Sequence, residues 1–184
     1  MKYRTLGRTG LRCSEIGLGT WAFASQIYGA VDRGDAYRTV DRALDSGITF
    51  FDTAPLYGDK ERDGISEKVL GRALGDAKRS VIISTKFGRY STDGAAPNFH
   101  AKRAYESVEG SLRRLGRDYV DVLFFHSPFG PQDIHDDVWE ALDDDGVWGD
   151  DPRAASIEKG EAIMTRFVDT VSPEIQKHQT RREE

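Results

Sequence analysis

The chain has 184 residues, enough to bury one sizeable core, and its 38% apolar and 31% charged residues are those of a folded globular protein, not a disordered one. A formal charge of −5 argues against a nucleic-acid footprint, and no apolar stretch approaches the roughly 20 residues of a membrane span. A single cysteine, Cys13, permits no intramolecular disulfide, and the histidines at 100, 126, 135 and 178 lack metal-ligand spacing, so no metal is expected.

The opening MKYRTLGRTGLRCSEIG pairs two short segments around a turn-rich centre from Gly7 to Gly10, which predicts a β-hairpin with Cys13 as an inert member. It carries no apolar signal-peptide core, which makes the cytoplasm the expected location. SEIGLGTWAF then reads as a first buried strand ending near Gly19. From Asp35, a candidate N-cap, Ala36, Val40, Ala43 and Leu44 recur at helical spacing, and Gly47 suits the position just past the helix end. A second strand, ITFFDTAPLY (48–57), leads through a loop to a helix from Ser66 with Val69, Leu70, Ala73 and Leu74 inward, stopped by Gly75.

SVIISTK (80–86) is a third strand, followed by a long loop from Gly88 to Asn98, a length that in compact domains usually accompanies function or mobility. Ala104, Tyr105, Val108, Leu112 and Leu115 form one face of the next helix, and DVLFFHS (121–127) is a fourth strand. Alternating strands and helices of this size imply parallel pairing with right-handed crossovers, hence an α/β barrel or a doubly wound sheet. The hairpin and the polar strand ends favour the barrel. No G-x-G-x-x-G follows the first strand and no P-loop motif occurs, so the familiar phosphate loops of open sheets are missing.

Three strands end on groups able to move protons: Asp52 with Tyr57, then Lys86, then His126. In a parallel αβ barrel the carboxyl ends of the strands converge on one face, so these four residues are expected to form one site. A carbonyl accepting hydride needs a proton at its oxygen. Tyr57 can supply it if a neighbouring ammonium, Lys86, favours the phenolate, and Asp52 can hold that ammonium by a charge-assisted hydrogen bond. His126 can orient the carbonyl oxygen or relay a proton. Taken singly, each of the four has an ordinary structural reading, and Lys86 has a rival chemical one as a Schiff-base lysine. Tyr57 and the hairpin argue against the latter.

The segments LGRTGLRCSEIGLGTW, ITFFDTAPLYG, ISEKVLGRAL, VIISTKFG and SVEGSLRRLGRDYVDVLFFHSP, in this order, resemble successive signatures of the aldo-keto reductases over about the first 142 residues. The resemblance implies a (β/α)8 TIM barrel and a catalytic tetrad at Asp52, Tyr57, Lys86 and His126. It implies NADPH, or NADH, as cofactor, with Gly19, Thr20, Trp21 and Asp52 at its nicotinamide end, and a small aldehyde or ketone as substrate. Trp21 and Phe87 are expected to line the carbonyl pocket.

After Leu142 the family pattern gives way to DDDGVWGDDPRAASIEKGEAIMTRFVDTVSPEIQKHQTRREE, which lacks the Ser-Asn pair and the later phosphate-binding segments that the resemblance implies. The expected architecture is therefore a partial barrel of about four βα units over 1–145, with a divergent helical tail over 146–184 and Trp139 and Trp148 as packing residues. Half a barrel exposes strand edges, so self-association is a further expectation. Two functions follow: a carbonyl reductase using NADPH, or a truncated, catalytically inactive half-barrel acting as a fragment or an interaction module.

Overall fold

Glycines 7 and 10 take positive φ angles of 53° and 77° and reverse the chain between β1 (Tyr3–Thr5) and β2 (Arg12–Ser14). These strands pair antiparallel with Arg4 opposite Cys13, and Cys13 is buried as a free thiol. This is a computed structural model, and it describes residues 1–138 apart from 8, 25–28 and 30. The tail over 146–184, with Trp139 and Trp148, lies outside the described residues. None of the described helices is long and apolar enough to cross a membrane.

Four strands follow in one parallel sheet: β3 (Leu18–Gly19), β4 (Phe50–Asp52), β5 (Ile82–Phe87) and β6 (Val122–Phe125). Their spatial order is their sequence order, joined by α1 (Arg33–Asp45), α2 (Ile65–Leu74) and α3 (Ala101–Leu115). A doubly wound sheet reverses its strand order at a switch point. Among the described strands the order never reverses, so the fold is a partial α/β barrel, with four parallel strands joined by three helices.

Side chains alternate across the strands, and the two faces differ in kind. Phe51 and Ile83 point to the helices and pack with Val40 and Ala43 of α1, Leu70 and Leu74 of α2, and Leu115 of α3. Phe51, Ile83 and Leu70 are fully buried, each contributing about 1.5–3 kcal/mol relative to exposure. The opposite face carries Asp52, Ser84 and Lys86, with Asp52 opposite Ser84 and Lys86 opposite Phe124 across the ladder. Gly71 lets α2 approach α3, because a Cβ there would lie 2.4 Å from the Leu115 carbonyl oxygen.

Element ends depart from the expectation in three places. The cap of α1 is Asp32, not Asp35: Asp32 takes the extended conformation that capping needs and accepts from the Gly34 N–H at 2.8 Å. Asp35 sits inside the first turn, paired with Arg38. The helix α2 begins at Ile65, entered through Gly64 in the left-handed region. The strands are shorter than their apolar runs, and Tyr57 lies beyond β4 in a turn where the Tyr57 N–H bonds the Ala54 carbonyl.

One buried charge ties the helical layer together. Glu67 of α2 is fully buried, accepting from Thr85 Oγ1 at 2.7 Å and from Arg114 Nε at 2.6 Å, so it links α2, β5 and α3. Removing one partner of such a pair leaves the other uncompensated. Glu67→Ala should therefore lower unfolding stability by about 3 kcal/mol, with Glu67→Gln costing less because it still accepts from Thr85. Urea denaturation checks this, and superposable curves for Glu67→Ala and the parent chain would contradict it.

Candidate active site

Asp52 ends β4, and its carboxylate accepts from Lys86 Nζ at 2.8 and 2.7 Å and from Ser84 Oγ at 2.8 Å. Lys86 also donates to the Thr53 carbonyl at 2.9 Å and to Tyr57 Oη at 3.0 Å. An ammonium has no acceptor capacity, so in the last contact Tyr57 must accept. The phenolic proton is left free to be directed at a third group. Tyr57 is itself anchored to α2, because its carbonyl accepts from the Ser66 N–H at 3.0 Å.

His126 follows β6, held by its N–H bonding the Phe87 carbonyl at 2.9 Å. Its ring meets Tyr57 edge to face, with centroids 5.7 Å apart and planes at 88°. Burial is the main cause that pushes the imidazole pKa down to about 4, and the positive charges of Lys86 and Arg89 add to it against the opposing Asp52. The ring is neutral at pH 7. Its Nδ1 is buried with no hydrogen-bond partner among the described residues.

The structure thus brings Asp52, Tyr57, Lys86 and His126 together at the carboxyl ends of β4, β5 and β6. Trp21 stands beside them, 43% exposed, with its ring centroid 6.2 Å from that of Tyr57. Gly19 is exposed, with nothing within 4 Å of where a Cβ would sit. Two clefts, of about 450 and 250 Å³, open beside the helices and include none of these residues.

Two expectations are corrected, Phe87 in the carbonyl pocket and Thr20 at the nicotinamide end of the cofactor. Phe87 is 1% exposed and packs with Phe99, Phe125 and Ala104, because as the residue after Lys86 it points to the opposite face of the strand. It is core, not pocket lining. Thr20 is fully buried: its Oγ1 donates to the Asp52 carbonyl at 2.9 Å and accepts from Ser66 Oγ at 2.7 Å. It offers no surface to a cofactor and instead fixes the exit of β3 against β4 and α2.

Sequence reasoning missed Ser84, Thr53 and Asp63. Ser84 lies two residues before Lys86, so strand alternation places it on the same face, and that signal was readable. Thr53 acts through its main chain and leaves no sequence trace. Asp63 accepts from the N–H and hydroxyl of Ser91 at 2.6 and 2.8 Å and from those of Thr92 at 3.1 and 2.6 Å. It joins the β4–α2 loop to the β5–α3 loop beside the cluster.

The model of the Aldo/keto reductase family matches residues 15–146. Among curated proteins, the chain is 39% identical to aldo-keto reductase YhdN of Bacillus subtilis, over 70% of this chain and 38% of that protein. It is 42% identical to the L-galactose dehydrogenase of Arabidopsis thaliana, over 72% of this chain and 40% of that one. An aldo-keto reductase from Bacillus halodurans solved in its holo form superposes with a TM-score of 0.63 at 31% identity, covering 77% of this chain and 46% of that one. The chain therefore spans about two fifths of the curated relatives it matches.

The depressed pKa of His126 carries a consequence for stability. Above its unfolded value of about 6.5 the ring is neutral in both states, and its contribution is fully present. As pH falls from about 6.5 toward 4 the unfolded chain takes up the proton first, and up to about 3 kcal/mol is lost. Denaturant midpoints measured from pH 7 to pH 4 should fall faster for the parent chain than for His126→Asn. A difference between the two that stays flat over this window would count against the buried neutral ring.

Proposed function

Because the chain belongs to the aldo/keto reductase family, we propose that it is an oxidoreductase that reduces an aldehyde or ketone to the alcohol with NADPH or NADH, Tyr57 acting as general acid. The observation that carries this reading is the Lys86–Tyr57 contact at 3.0 Å, in which the phenol oxygen must accept and its own proton is free.

The residues present fit the nicotinamide end of such a cofactor. Gly19 leaves open space above the strand end, Trp21 offers an exposed flat ring beside Tyr57, and Asp52 pairs with Gly19 across the ladder. When bound, the nicotinamide supplies hydride to the carbonyl carbon. Tyr57 gives its proton to the carbonyl oxygen, and the product leaves as a neutral alcohol. The phenolate left behind is balanced by the Lys86 ammonium. Asp52 and the Thr53 carbonyl hold that ammonium in place, and Ser84 orients the carboxylate. His126, neutral and facing Tyr57 across the edge-to-face contact, is suited to hydrogen-bond the same oxygen without competing for its proton. The ring of Trp21 favours aromatic or apolar carbonyl compounds.

NADPH and NADH differ only at the adenosine end, so both belong in the assay. The reading also places the chain in the cytoplasm, which suits one free, buried thiol. Strands β3 and β6 are the edges of the described sheet, so association along those edges is part of the proposal.

Titrating the chain with NADPH and with NADH while following tryptophan fluorescence, beside a size-exclusion run and a carbonyl-dependent oxidation assay, tests the proposal. Saturable quenching is expected in the parent chain and in Tyr57→Phe, with turnover of an aromatic aldehyde about 10²–10⁴-fold lower in the variant. A folded chain that binds neither dinucleotide would overturn the enzymatic reading in favour of a catalytically inactive half-barrel acting through protein contacts.

A further inference from the structure

Among the described residues, the non-glycine positions with positive φ are Ala95 at 63° and Ser127 at 52°. L-residues avoid this region, and such outliers persist only where surrounding contacts over-determine them, often at functional sites. One side chain grips both. Arg89, just past β5, donates from Nη1 to the Ala95 carbonyl at 2.6 Å and from Nη2 to the Ser127 carbonyl at 2.9 Å. Its Nε donates to the carbonyl of His126 itself at 2.9 Å. Phe129 lies over the guanidinium, with its ring centroid 4.8 Å from Cζ.

We propose that Arg89 is the positioning residue for His126: its three-pronged grip locks the strained turns at Ala95 and Ser127 and so holds the imidazole against Tyr57. The planar fork of a guanidinium suits this role, because it can address three carbonyls from two loops at fixed angles. The main chain of His126 is thereby held on both sides, by the Phe87 carbonyl at its N–H and by Arg89 at its carbonyl. The Arg89 charge acts in the same direction as the geometry. The ionisable groups facing His126 are Tyr57, Lys86, Asp52 and Arg89, and of these Lys86 and Arg89 oppose its protonation. Arg89 thus positions the ring and adds its charge to the burial and the Lys86 charge that keep it neutral. The catalytic meaning of this role rests on the proposed carbonyl reductase.

The test is NMR of the full chain with labelled histidine, the His126 resonance being assigned by its loss in His126→Asn. Two variants separate charge from grip. Arg89→Met removes both, so the His126 midpoint should rise from about 4 and its ring-current shift from Tyr57 should change. Arg89→Lys keeps the charge but cannot reproduce the fork, so its midpoint should stay near that of the parent chain while the ring-current shift moves. An unchanged ring-current shift in folded Arg89→Lys overturns the proposal, and it does so even where Arg89→Met fails to fold. If carbonyl turnover is present, kcat in Arg89→Lys should fall about tenfold or more with KM little changed. The NMR readout needs no turnover. A chain that binds no dinucleotide therefore removes the functional reading, while the ring shift alone decides the positioning of His126.

Discussion

The half-buried ammonium of Lys86 is the constraint on which the rest of this face depends. A cation removed from water must find oxygen, and here the acceptors come from Asp52, Thr53 and Tyr57, all on β4 or the turn after it. That arrangement holds in one register only. If β4 slipped by one residue against β5, Asp52 would point to the helices and Phe51 to the ammonium. The apolar packing of Phe51 and Ile83 against the helices guards against the slip. Hydrophobic burial on one side of the sheet thus secures electrostatics on the other.

The polar groups around the cluster form a continuous chain of dependence. Ser66 Oγ donates to Thr20, and Thr20 Oγ1 donates to the Asp52 carbonyl, so the exits of β3 and β4 and the start of α2 move together. The Ser66 N–H also donates to the Tyr57 carbonyl, which makes the first turn of α2 the support of the phenol. Asp63 then joins this loop to the one after β5, and Arg89 joins that loop to the one after β6. Each link is an ordinary hydrogen bond, but in a partly desolvated network their loss is not additive.

Much of this was legible in the sequence, for physical reasons that can be named. The helix α3 follows from the spacing of Ala104, Val108, Leu112 and Leu115. The grouping of Asp52, Lys86 and His126 follows from their places at strand ends, once the strands are parallel. Strand lengths were overread because an apolar run reports burial, whereas a ladder requires a paired neighbour, and Ala54 to Tyr57 turn away. Asp35 looks like a cap, and that Asp32 takes the place instead depends on backbone geometry that composition does not encode. Phe87 was misplaced through neglect of alternation: adjacent residues on a strand never share a face. Thr20 is placed at the cofactor by the resemblance alone, and a matched segment does not tell which of its side chains face outward and which, like Thr20, are buried joints.

The hairpin sits at the other end of the sheet. Ser14 and Thr49 exchange hydrogen bonds at 3.0 and 2.9 Å, and Tyr3 donates to the Gly47 carbonyl at 3.0 Å, so β1 and β2 are fastened to the segment that enters β4. The amino terminus is thereby moored about one strand length from the polar cluster, at the pole where nothing in the proposed chemistry occurs. Evolutionary change and engineering meet different rules at the two poles. An affinity handle or fused domain at Met1 extends away from the strand exits, whereas an insertion between Pro55 and Asp63 would pass directly over them.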